Sequence, residues 1–241
     1  MKHEVDLSKY KVRTDLAIEA IDDQVKRETK TYDDIKISFI NIDQKLSKVI
    51  EKKEGNYITI EFNDITDHEN AEKVKKIFVQ ELKKLLKTMN IKKNDSCLII
   101  GLGNDKSTPD SLGPKTVDKL IITNHIYELG NLEEGYRRIS ALNPGVMGET
   151  GIETSDIIES IIKKIKPDFL IVIDALASSS IERVNKTIQI TDTGIHPGSG
   201  IGNSRKEISK EILKIPVIAI GVPTTVDAVT IVSDTIDYTI K

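Results

Sequence analysis

A chain of 241 residues, 38% apolar and 30% charged, is long enough to bury a core and too rich in apolar residues to read as disordered. Its net charge of -3 gives no electrostatic case for direct nucleic-acid binding, and no run nears the ~18 to 20 apolar residues that span a bilayer. Met1–Asp6 lacks an apolar signal core, which argues against secretion, and the single Cys97 excludes an internal disulfide or a cysteine-based zinc cage.

Residues 1–30 are polar and charged apart from a patterned stretch, Val12 to Ile21. Two alternating runs follow, Ile35–Ile42 and Asn56–Phe62, separated by a Lys/Glu-rich segment that closes on the turn signal Glu54-Gly55-Asn56. Alternation of this kind predicts strands, here antiparallel neighbours in a small extension at the N-terminal end. From Asp67 to Met89, the residues Ala71, Val74, Ile77, Phe78, Leu82, Leu85, Leu86 and Met89 recur every three or four positions, which predicts an amphipathic helix. Cys97–Gly101 reads as a buried strand, in which Cys97 is a small hydrophobe of the core. After Gly151, Thr154 or Ser155 is placed to cap a helix whose Ile157, Ile158, Ile161, Ile162 and Ile165 share one face. Pro167 ends that helix and Phe169–Ile173 makes the next buried strand. Val184–Ile190 and Ile215–Val222 read as further strands, residues 204–213 and 226–240 as helices. Helices alternating with short, continuous apolar strands predict an α/β fold, a mostly parallel sheet with helices on both faces.

The loops at 143–151, 193–203 and 223–227 are dense in Gly, Pro and small polar residues. Glycine lets backbone approach a ligand closely, and loops of this kind on a rigid sheet commonly carry function. Gly101-Leu102-Gly103 opens like a dinucleotide fingerprint, but Lys106 stands where its third glycine belongs. Lys106-Ser107 likewise lacks the glycines of a phosphate loop. Ser199 lies between two glycines without the Gly-x-Ser-x-Gly elbow of a serine hydrolase. His196 is the one histidine in a Gly-rich loop, where an isolated histidine is more often a turn or surface residue than a ligand.

Asp110 and Asp174 stand apart, because each follows a buried strand. In an open parallel sheet, ligands bind in the crevice outside the carboxyl ends of the strands, so both carboxylates are delivered to one edge. Two carboxylates brought close titrate as a unit with one proton retained. One can then take a proton from water while the other gives one to a leaving group. A divalent metal held between them, with His196 as a third ligand, is the other chemistry open to such a pair.

Several motifs together are specific enough to name a family. Gly101-Leu-Gly-Asn104, Thr108-Pro-Asp-Ser-Leu-Gly-Pro114, Gly145-Val-Met-Gly-Glu-Thr-Gly151, Ile173-Asp-Ala-Leu-Ala177, His196-Pro-Gly-Ser-Gly-Ile-Gly-Asn203 and Gly221-Val-Pro-Thr-Thr-Val-Asp-Ala228 resemble the germination protease of spore-forming bacteria. The resemblance runs from about Tyr10 to the last residue. It implies an atypical aspartic endopeptidase that degrades small acid-soluble spore proteins in the cytoplasm of the spore core. It also implies a fold similar to hydrogenase maturation endopeptidases, no metal or other cofactor, and a homotetramer. The family's two proposed catalytic aspartates match Asp110 and Asp174. His196, Gly198, Ser199 and Gly200 are supporting candidates, the glycine-rich backbone as a source of N–H donors to a developing oxyanion. Arg205 or Lys206 is the candidate to receive the substrate's Glu.

The family is made as a zymogen, and Arg13-Thr14-Asp15-Leu16-Ala17-Ile18-Glu19 resembles its substrate pattern. The expected cut lies between Asp15 and Leu16, giving a pro-segment of residues 1–15 and a peptidase domain of 16–241. The chain stops at Lys241, whereas members of the family usually continue for several tens of residues. The competing expectation is a metal-dependent or non-catalytic binding protein that uses the same cleft.

Overall fold

The computed structural model describes residues 13–21, 25–198 and 205–240. In chain order its elements are α1 (Ala17–Ala20), β1 (Glu28–Tyr32), β2 (Ile35–Ile42), α2 (Gln44–Ile50), β3 (Gly55–Glu61), α3 (His68–Thr88) and β4 (Cys97–Gly101). There follow a 3-10 turn at Thr108–Asp110, then α4 (Leu112–Val117), α5 (Asn124–Glu128), β5 (Ile139–Leu142), α6 (Met147–Thr150) and α7 (Thr154–Ile165). The chain continues with β6 (Phe169–Ser178), a 3-10 turn at Ile181–Arg183, β7 (Thr187–Thr191), α8 (Lys210–Leu213), β8 (Val217–Val226) and α9 (Ala228–Ile240).

The strands form one 8-stranded sheet in the order β1-β2-β3-β7-β8-β6-β4-β5. The half β8-β6-β4-β5 is parallel, as the apolar runs predicted, and the half from β1 to β8 is antiparallel. β4 and β6 are neighbours whose onward connections leave to opposite sides, towards β5 and towards β7 and β8. The crevice between their carboxyl ends is therefore a topological switch point, where open α/β sheets place ligands.

Alternation along the strands sends successive side chains to opposite faces. On one face, Leu98 and Ile100 of β4 with Leu170 and Val172 of β6 pack on Ile158 and Ile162 of α7. On the other, Cys97, Ile99, Phe169 and Ile173 form a second layer with Leu112 and Val117 of α4. α3 covers the antiparallel half on this second face, with Val74 and Leu85 against Ile35, Ile37, Ile58 and Ile60. Asp67 starts α3 by accepting from the Asn70 amide at 2.8 Å. The opposite face of the antiparallel half, with Ile40, Ile42 and Tyr57, is covered by Leu16, Ala17 and Ile18. Even-numbered β6 residues thus meet α7 at one end and the α1 segment at the other, with Asp174 between the two covers.

Several boundaries differ from expectation. α7 is preceded by Glu153, and Thr154 is its first residue rather than a cap; the Thr154 hydroxyl donates to the Gly145 carbonyl at 3.2 Å. The strand expected at 184–190 begins later, at Thr187, because the chain first makes the Ile181–Arg183 turn. Of the helix expected at 204–213, among the described residues only Lys210–Leu213 is helical, since Ile208 is fully buried and its backbone exchanges hydrogen bonds with Ile195. No helix among the described residues is long and apolar enough to cross a membrane.

Candidate active site

Asp110 and Asp174 line one cavity of about 290 Å³, together with Asp15, Gly198, Arg205 and Thr224. Asp174 occupies β6 one residue past Ile173, where its Oδ1 accepts from the Ala175 amide at 2.9 Å. Asp110 ends the 3-10 turn after β4, and its Oδ2 accepts from the Asn104 amide at 3.0 Å.

Gly103, half of what looked like a dinucleotide fingerprint, has a different task here, which it shares with Gly113. A Cβ on Gly113 would lie 2.3 Å from the Leu102 carbonyl oxygen and 2.6 Å from that of Ile173. A Cβ on Gly103, whose φ is +112°, would lie 1.9 Å from the Asp110 carbonyl oxygen. Backbone therefore packs directly on backbone at the ends of β4 and β6, and this close approach brings the Asp110 turn over Asp174. Thr224 of β8 fastens the same turn from the far side, its hydroxyl donating to the Pro109 carbonyl at 2.6 Å.

The two carboxyls are held in unlike surroundings. Burial pushes Asp174 well above the usual carboxylate range, and the charges of Asp110 and Asp15 push it further in the same direction. Asp110 is half-buried; its burial raises it too, against the Asn104 amide and the Arg205 guanidinium, which favour its ionised form. Burial thus raises both carboxyls, and the buried Asp174 is the one held well above the usual range.

Asp15 reaches this cavity because the segment 13–21 lies against the end of β6. The Asp15 amide donates to the Ala177 carbonyl at 2.9 Å, and the Ala177 amide donates to Asp15 Oδ2 at 2.8 Å, beside a register shift between β6 and β8. Leu16 and Ala17 are fully buried. Lys52 Nζ donates to the Thr14 carbonyl at 2.6 Å.

The other candidates are dispersed. Gly198 and Arg205 line the dyad cavity, whereas His196 lines a neighbouring cavity of about 660 Å³ and pairs through Nε2 with Glu207 at 3.2 Å. Lys206 pairs with Asp156 at 2.7 Å and does not line the dyad cavity. Ser199 and Gly200 lie outside the described residues. Among the described residues, no three His, Cys, Asp or Glu side chains converge in the manner of a metal site. The carboxylate of the chain's own Glu19 meets Arg183, not Arg205 or Lys206. Gln189, which touches the backbone on either side of Leu16, also escaped the sequence reading. The only signal for it was a polar residue inside the alternating strand Thr187-Ile-Gln-Ile-Thr191.

Comparison with known proteins gives consistent matches over the whole chain. A family model described as germination protease matches residues 3–241. The chain is 55% identical to the germination protease of Geobacillus sp., aligning over 100% of this chain and 70% of the relative. Identity is 52% to the germination protease of Priestia megaterium and 54% to that of Bacillus licheniformis, with the same coverage in both.

Proposed function

Since this chain belongs to the germination protease family, we propose that Asp110 and Asp174 are the cutting pair of an endopeptidase that initiates degradation of small acid-soluble spore proteins. The observation that carries the assignment is the shared cavity at the switch point, in which burial raises both carboxyls, Asp174 well above the usual range, while the Asn104 amide and Arg205 oppose the rise at Asp110. Ionised Asp110 takes a proton from a water as its oxygen attacks the peptide carbonyl. Asp174 gives its proton to the departing nitrogen, and the two carboxyls have then exchanged protonation states. Backbone at Gly198 is a candidate for oxyanion donors, since Gly198 lines the same cavity.

Residues 1–15 are a pro-segment in this reading, and the Asp15–Leu16 bond is cut by the chain itself. Support comes from Asp15, which lines the cavity of Asp110 and Asp174 while its amide and its carboxylate are both tied to Ala177. A homotetramer and a location in the spore core complete the proposal, both on family membership alone.

The test is N-terminal sequencing and mass analysis of the acid-treated full chain. A new terminus at Leu16 is expected, and Asp110→Asn or Asp174→Asn should each slow its appearance by about 10²- to 10⁴-fold, the usual loss for an acid/base group. Near-normal processing in either variant refutes the pair, and a terminus elsewhere refutes the bond.

A further inference from the structure

The segment 13–21 is gripped in a manner that reads peptide chemistry at defined distances from one bond. Gln189 Nε2 donates to the Asp15 carbonyl at 3.3 Å, and Gln189 Oε1 accepts from the Ala17 amide at 2.7 Å. One side-chain amide therefore brackets the Asp15–Leu16 bond, binding backbone groups that every peptide possesses. Gln189 is itself buried, and among the described residues these are the hydrogen bonds its side chain makes. In register, Gln189 stands opposite Gly221 of β8, and Gly221 stands opposite Asp174 of β6. Directly opposed residues share a face of the sheet, so the clamp and the buried carboxyl flank a residue without a side chain.

Four residues beyond the bracketed bond, Glu19 enters a cradle that is built for a carboxylate. Its side chain is 2% exposed. Ser178 Oγ donates to Oε1 at 2.7 Å, the Ser179 amide donates to Oε2 at 2.7 Å, and Arg183 Nη1 lies 3.3 Å from Oε1. The Thr14 hydroxyl completes the set. Arg183 is held in place independently of Glu19, because its Nε donates to Glu61 at 3.1 Å. Ser178 belongs to β6, the strand that bears Asp174, so cradle and dyad ride on one rigid element. Between bond and cradle, Leu16 fills an apolar hollow with Ile40, Ile42, Tyr57 and Leu176. If the segment leaves, Gln189 and the cradle lose the partners that satisfy buried polar groups, an unfavourable state unless another peptide takes its place.

We infer that Arg183, with Ser178 and the Ser179 amide, is the specificity subsite for an acidic side chain four residues on the carboxyl side of the cut bond. Gln189 is the positioning residue that sets the register. The chain's own Glu19 fills the subsite. This rests on the reading of Asp110 and Asp174 as the cutting pair and of Asp15–Leu16 as their bond.

The experiment uses the full chain, allowed to process itself, and nine-residue peptides carrying the sequence Arg13–Ile21 with Glu or Gln at the position of Glu19. The unsubstituted protein should cut the Glu peptide about tenfold faster than the Gln peptide, the discrimination expected of a charge-assisted hydrogen-bonded pair. Arg183→Gln should reduce that ratio to within about twofold, and Arg183→Glu should invert it. A purely structural role for Arg183 would slow both peptides alike, and an unchanged Glu-to-Gln ratio in Arg183→Gln overturns the subsite. If the unsubstituted chain neither processes itself nor cuts any peptide, the cutting pair is what has been refuted. Labelled, uncut peptides then decide the subsite by their binding ratio, and equal binding of the Glu and Gln peptides overturns it.

Discussion

Gly103→Ala is the substitution that most directly tests how the backbone delivers Asp110. The new Cβ would fall 1.9 Å from the Asp110 carbonyl oxygen and 2.9 Å from its Oδ1, and φ at this position is +112°. Backbone strain alone costs about 1–3 kcal/mol for a residue with a side chain in such a conformation. The contact adds to this, because a carbonyl oxygen that also accepts from the Asn104 amide at 3.0 Å cannot retreat without the whole turn. Relief comes only if the Thr108–Asp110 turn lifts away, and Asp110 goes with it. A displacement of about 1 Å in a catalytic group costs on the order of 10²-fold in rate. Gly130→Ala is the matched control, since it shares a positive φ of +74° but its Cβ meets nothing within 4 Å. Thermal melting and the rate of appearance of the Leu16 terminus are measured on both variants. Gly103→Ala should lose stability and about 10² in processing rate, whereas Gly130→Ala should lose stability alone. A Gly103→Ala chain that processes at the normal rate would show that Asp110 does not act from the position this turn gives it.

Two further outcomes follow from the titrating groups. Asp174 has its carboxyl raised by burial, so the folded state binds a proton that the unfolded chain releases; its stabilising effect is full below the unfolded value of about 3.9 and is lost as pH rises through the folded one. Asp174→Asn keeps an acceptor for the Ala175 amide and removes that loss, so its melting temperature relative to the unsubstituted chain should climb from pH 3 to pH 8. A flat or falling difference refutes the buried-carboxyl account. Cys97 has its thiol pushed up to about 12 by burial, against the opposing charge of Arg137. At pH 8 about one molecule in 10⁴ then carries the thiolate, so alkylation of the native chain should be far slower than in denaturant; equal rates would refute burial of Cys97 in the sheet.

The parallel half of the sheet was legible because its strands are buried on both faces and read as short apolar runs. Cys97-Leu-Ile-Ile and Phe169-Leu-Ile-Val-Ile could hardly be anything else once the amphipathic pattern from Val74 to Met89 and the isoleucine face of α7 had placed helices beside them. β1 was not legible. Its residues Glu-Thr-Lys-Thr-Tyr are exposed throughout, and only backbone pairing with β2 makes them a strand. β5, Ile139–Leu142, is partly buried along its length and too short to show a period. Residues 205–209 present the opposite case, in which helical composition lost to a tertiary contact between Ile208 and Ile195.

For the site, the two aspartates were visible as strand ends, since strand direction and burial are encoded locally. The partner of Glu19 was not visible, and the reason is topological. Arg205 and Lys206 belong to a Gly-rich loop already under suspicion, whereas Arg183 lies in an unremarked turn between β6 and β7. Only the placement of the segment 13–21 along β6 brings a residue 164 positions distant to the Glu19 carboxylate. The same placement explains Gln189: a strand with one polar face can be read from alternation, but what covers that face depends on where a remote segment docks. In the proposed function, acid/base chemistry is thus assigned to the ends of two strands, and specificity to the surface those strands present to the chain's own first turn of helix.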